Sequence, residues 1–104
     1  MYFKQMASAV RYCHDQNIAH RDLKLENWLF ASKTSNLGLK LIDFSLSTML
    51  GHLNIHTGAV GTLYYTPPEM LGNSGYKSQQ CDMWSLGIIT YIMLRYLQKA
   101  KILI

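Results

Sequence analysis

The sequence has no block of Lys or Arg, no paired cysteines and no apolar run long enough to cross a bilayer. Each absence closes a class of function. A net charge of +4 from scattered basic residues offers little to a nucleic acid or an anionic membrane, both of which need clustered positive charge. Cys13 and Cys81 lie far apart and form no CxxC pair, so they read as reduced core thiols of an intracellular chain, cytoplasmic or nuclear. The longest apolar run, Leu86 to Leu94, falls short of a span of about 20 residues and reads as a buried helix. The opening MYFKQMASAV lacks the charged flank and long apolar stretch of a signal peptide. There is no N-x-[ST] acceptor, internal repeat or low-complexity linker. Negative charge is missing from a whole segment: residues 44–68 contain no Asp and no Glu.

What is present suits one small folded domain. Hydrophobic residues make up 49% of the 104 and charged residues 15%, enough to bury apolar surface rather than stay disordered. Met6, Ala9, Val10 and Cys13 repeat at helical spacing and predict an amphipathic helix from about Tyr2 to Asp15. A short extended piece follows at QNIAH. Trp28 to Ala31 and Leu39 to Ile42 read as strands, with SKTSNLG between them as a hairpin loop. The stretch from Asp43 to Glu69 shows little periodicity and reads as a long functional loop, ended by Pro67-Pro68 at a short helix. Ser78 is a candidate N-cap for a last helix running to about Leu97, with Trp84 as a core anchor. That helix is apolar nearly all round and should sit inside a larger body.

The stretch HRDLKLEN, residues 20–27, concentrates groups suited to phosphoryl transfer. That reaction needs a carboxylate to orient a hydroxyl and accept its proton, positive charge beside the phosphate, and oxygen ligands for Mg²⁺. Asp22 and Lys24 meet the first two needs, and Asn27 offers one oxygen ligand. Asp43, directly after the strand Leu39 to Ile42, offers a second. Taken singly, Asp22 and Asp43 would read as solvated turn acids. His52 and His56 stand four apart without a third metal ligand, and read as exposed polar residues.

Taken together, H-R-D-L-x-x-x-N, then D-F-x, then GTLYYTPPE and DMWSLG, the chain resembles the protein kinases over nearly its whole length. The implied fold is α+β: the mainly helical C-lobe of a kinase, with a short β-hairpin and a long activation loop. Residues 1–97 correspond to a partial kinase domain and 98–104 to a divergent tail. The resemblance implies Asp22 as catalytic base, Lys24 as the group neutralising the transferred phosphate, and Asn27 and Asp43 as Mg²⁺ ligands beside ATP. Leu29 corresponds to the residue beneath the adenine ring. Arg21 corresponds to the residue that pairs with an anion on the activation loop, for which Thr57, once phosphorylated, is the candidate, with Thr48 weaker. Thr62 corresponds to the residue bonding the catalytic Asp and Lys. Asp82 corresponds to the buried carboxylate that holds the catalytic-loop backbone, and His20 to a packed histidine stacked with Phe44. Glu26 is either a contact for a basic substrate side chain or a structural tie to the loop after Glu69.

Lys24, two places after Asp22, follows the serine/threonine pattern. ENWLF with CDMWSLGIITYIML most resembles the calmodulin- and calcium-dependent group, which implies a protein substrate with Ser or Thr and calcium-type regulation in a longer product. Three departures stand out. DFS replaces DFG, placing Ser45 where the family has a residue free to take positive φ. Pro67 replaces the Ala of APE. The sequence contains no Gly-rich loop and no V-A-I-K lysine, and it ends in RYLQKAKILI without the Arg that pairs with Glu69 in the family. The expectation is a truncated gene model or splice product, inactive and dye-binding when isolated. Its rivals are a non-catalytic binding fragment and a chain that does not fold alone.

Overall fold

The computed structural model describes residues 2–32, 38–51, 55–72 and 74–103, with side chains as far as residue 98. Helix α1 spans Tyr2–Asp15, with Met6 and Val10 on its buried face and Cys13 only half-buried. It stops because Asn17 takes a left-handed φ of 60° and turns its N–H back to the His14 carbonyl at 3.0 Å. The chain leaves as β1 (Ile18–Ala19) and later pairs antiparallel with β4 (Thr48–Met49), Ala19 facing Thr48. The two-residue β4 lies inside the stretch that the sequence presented as an unbroken loop.

Strands β2 (Trp28–Phe30) and β3 (Leu39–Leu41) form the expected antiparallel hairpin, in the register Trp28 to Leu41 and Phe30 to Leu39. Most of the hairpin loop, residues 33–37, lies outside the described residues, as does His52. Gln5 of α1 fastens the hairpin, its Oε1 accepting from the N–H groups of Gly38 and Leu39 at 3.1 and 2.9 Å. Short 3-10 turns occupy Leu25–Asn27, Leu63–Tyr65 and Pro68–Leu71, the last with Pro at its start.

Helix α2 runs from Ser78 to Leu103 and carries the inner wall of the core. Met6, Val10, Leu23, Trp28, Tyr65, Leu86 and Ile89 close one apolar cluster, and Met70, Tyr76 and Cys81 a second. Two expectations about α2 fail. It extends beyond Leu97, since QKAKIL holds good helix formers and neither Gly nor Pro. Trp84 is 46% exposed rather than a core anchor, because at 100° per residue it lies about 130° from the middle of the buried face formed by Ser78, Cys81, Asp82, Ser85, Leu86 and Ile89. Among the described residues no helix is long and apolar enough to cross a membrane.

Candidate active site

The segment from His20 to Asn27 is pinned by a buried carboxylate. Asp82, 1% exposed on α2, accepts from the backbone N–H of His20 at Oδ2 and of Arg21 at Oδ1, both at 2.9 Å. His14 Nε2 donates to the same Oδ2 at 2.8 Å. Buried backbone donors need acceptors, and here one side chain serves two of them. This clamp holds Arg21 at a φ of 68°, a left-handed value that only surrounding contacts maintain in a long side chain.

His20 is packed, as expected. Its ring meets Phe44 edge-on at 4.7 Å, and its Nδ1 accepts the Asp22 N–H at 3.1 Å. The ring proton therefore sits on Nε2, which donates to the Ile42 carbonyl at 2.9 Å. One imidazole thus ties the backbone of residues 20–22 to the strand end that carries Asp43.

Asp22 is 9% exposed. Thr62 Oγ1 donates to its Oδ1 at 3.0 Å and accepts from Lys24 Nζ at 3.1 Å, while Nζ lies 3.8 Å from Oδ2. The three groups form a closed polar triangle. It depends on Gly61, whose φ is 97° and whose missing Cβ would stand 2.6 Å from the Arg21 carbonyl oxygen. Only glycine lets the 61–62 backbone approach residues 21 and 22 this closely.

Asn27 is buried, and its Nδ2 donates to the Asp22 carbonyl at 2.8 Å, leaving Oδ1 as its free ligand atom among the described residues. Its own carbonyl accepts from Ile42 N–H at 2.9 Å, which brings Asp43 alongside. Asp43 is exposed at a φ of 61°. The Ser45 hydroxyl and then the Ser45 N–H, both bonded to its Oδ1, hold its carboxyl below the ordinary carboxylate range. An amide oxygen and a carboxylate are hard oxygen donors, so this pair fits Mg²⁺.

The other sequence-derived residues fall around this centre. Leu29 is half exposed on β2, and Glu26 and Glu69 are exposed. Thr57 is exposed, whereas the Arg21 guanidinium is already bonded: Nε donates to the Leu46 carbonyl at 2.8 Å and Nη1 lies 3.5 Å from the Tyr76 hydroxyl. That hydroxyl donates to the Gly58 carbonyl at 2.5 Å. His56 is not an exposed polar residue. It is half-buried, with a two-way backbone bridge to Tyr76 and Nδ1 3.0 Å from Ser78 Oγ. Ser78 thus meets His56 at the start of α2. No cluster of three or more His, Cys, Asp or Glu suited to a metal occurs among the described residues. Burial, reinforced by the negative charges of Glu69 and Asp82, pushes the Cys81 thiol up to about 11.

Sequence reading did not single out His14, Tyr76 or the hydroxyl of Ser45. His14 and Tyr76 act across sequence distances that no local pattern reports. Ser45 was visible as a departure, but only for its backbone.

The model of the protein kinase domain family matches residues 1–100. Myosin light chain kinase A of Dictyostelium discoideum is 47% identical over 91 residues, covering 88% of this chain and 30% of that protein. Human MAP kinase-activated protein kinase 2 is also 47% identical over 91 residues, with 88% of this chain and 22% of that protein covered. The calcium/calmodulin-dependent serine/threonine-protein kinase 1 of Oryza sativa subsp. japonica is 44% identical, with 88% and 15% covered. The chain therefore spans less than a third of the length of these relatives.

Proposed function

The chain belongs to the protein kinase domain family, and from that premise we propose that it is the catalytic-loop part of a serine/threonine kinase acting on protein hydroxyls. The observation that carries this reading is the Thr62 hydroxyl bridging Asp22 and Lys24. It holds a carboxylate and an ammonium side by side without letting them collapse into a tight pair, since Nζ stays 3.8 Å from Oδ2. With Oδ1 engaged by Thr62, Oδ2 of Asp22 orients the substrate hydroxyl and takes its proton. Lys24 meets the negative charge that develops on the transferred group. Asn27 Oδ1 and Asp43 would hold Mg²⁺, and half-exposed Leu29 would pack against the adenine. When bound, Mg-ATP supplies the phosphoryl group and neutralises its charge.

On the same reading, residues 43–69 form the activation loop, and exposed Glu26 contacts a basic side chain of the substrate. Thr57 is its phosphorylation site. Arg21 receives that phosphate only by giving up its bond to the Leu46 carbonyl. The calcium/calmodulin-dependent relative supports calcium-type regulation, and the reduced-thiol reading of Cys13 and Cys81 supports an intracellular location. Because the sequence holds no Gly-rich loop and no V-A-I-K lysine, the 104 residues by themselves do not transfer phosphate.

The test is transfer from radiolabelled ATP to a serine peptide with neighbouring arginines, using the product of the complete transcript and its Asp22→Asn variant. Transfer that falls by about 10²–10⁴-fold in the variant supports the reading. Transfer unaffected by Asp22→Asn overturns it. A complete product that binds other proteins and transfers nothing establishes the binding-fragment alternative.

A further inference from the structure

Ser45 stands where the kinase family has glycine, and the freedom of glycine is not needed there. The described residues other than glycine with positive φ are Asn17, Arg21 and Asp43, so Ser45 keeps an ordinary backbone. Its side chain is engaged instead. Ser45 Oγ donates to Asp43 Oδ1 at 2.6 Å, and Ser45 N donates to the same oxygen at 3.2 Å. Two donors from one residue thus saturate one carboxylate oxygen and leave Oδ2 free.

We propose that Ser45 is a positioning residue for Asp43, holding Oδ1 so that Oδ2 alone is presented to a divalent cation. The inference rests on the reading of Asp43 as a metal ligand. An exposed carboxylate in a left-handed turn has little packing to fix its rotamer, and it loses that freedom when it binds an ion. A short hydroxyl-to-carboxylate bond, assisted by charge, removes the freedom beforehand. Ligating carboxylates are held by outer partners of this kind, and losing one weakens metal binding by about 10- to 100-fold. With glycine at 45 only the longer N–H bond would remain. The replacement therefore strengthens the grip on Asp43.

The test is titration of the full chain with Mn²⁺ alone, reading free ion by electron paramagnetic resonance, for wild type, Ser45→Ala, Ser45→Gly, Ser45→Thr and Asp43→Asn. Both residues are exposed, and circular dichroism checks that each variant keeps the wild-type fold. The expected result is affinity about tenfold weaker for Ser45→Ala and for Ser45→Gly, although the latter restores the family residue. Ser45→Thr, which keeps the hydroxyl, retains wild-type affinity. Wild-type affinity in Ser45→Ala with binding lost in Asp43→Asn overturns the role of Ser45 and leaves the metal site standing. Unchanged binding in Asp43→Asn overturns both.

Discussion

The two halves of α2 follow one apolar stripe and meet different surroundings. In the first half Cys81, Asp82, Ser85, Leu86 and Ile89 are all buried. Tyr96 continues the stripe seven residues beyond Ile89, yet it is 71% exposed, with Leu94 and Leu97 more than half exposed beside it. Together with Tyr2, these residues line open apolar grooves between the outer part of α2 and the start of α1. Periodicity creates a face; burial requires something to press against it. The first half has residues 20–23 and the 3-10 turns. Beyond Met93, the described residues that face the second half are Tyr2, Phe3 and Leu25. Among the described residues the halves also differ in how they are held, the first by directed hydrogen bonds to Asp82 and the second by apolar packing.

Asp82→Ala is the strongest test of that contrast. It leaves the N–H groups of His20 and Arg21 without their acceptor, at about 1–3 kcal/mol for each buried donor. Chemical denaturation should show a loss of about 3 kcal/mol. A loss as small as that of a surface change would mean that the loop does not hang on this carboxylate.

Tyr76→Phe should cost less, about 1 kcal/mol, since the bond to Gly58 and the longer contact with Arg21 Nη1 are removed and the ring remains. Its signature is local. Amide exchange at residues 56–61 should quicken, while exchange in α1 stays as it was.

The smallest effect belongs to the far half of α2. Leu94→Gln should change stability by less than about 0.5 kcal/mol, because the side chain is already half in water. It should also reduce binding of an apolar dye, since it removes part of an exposed patch. A loss matching that of Asp82→Ala would abolish the distinction between the halves.

Much of this arrangement was legible in the sequence. The spacing of Met6, Ala9, Val10 and Cys13 located α1 from end to end, and the two short apolar runs either side of SKTSNLG located the hairpin. The ordered motifs brought Asp22, Lys24, Asn27 and Asp43 to one neighbourhood. What escaped depended on partners far along the chain. β4 has two residues and exists because Ile18 and Ala19 run beside it. Trp84 reads as core from its large apolar ring, and only the helical phase set by its buried neighbours turns it outward. His56 shows no pattern, and its place is fixed by Tyr76 and Ser78 about 20 positions away in a way that local propensity does not encode.

The contact between Gly61 and the Arg21 carbonyl bears on how this gene can change over time. The residue at 45 is serine in place of glycine without backbone strain, and Gly58 faces open space, so side-chain bulk alone does not forbid a change there. Position 61 is different: every change away from glycine adds a Cβ where a carbonyl oxygen already sits. Such a site has no conservative neighbour through which a lineage can drift. In duplicated copies of the gene, the residue at 61 therefore records whether selection still maintains the joint between the two loops, independently of Asp22 and Asp43.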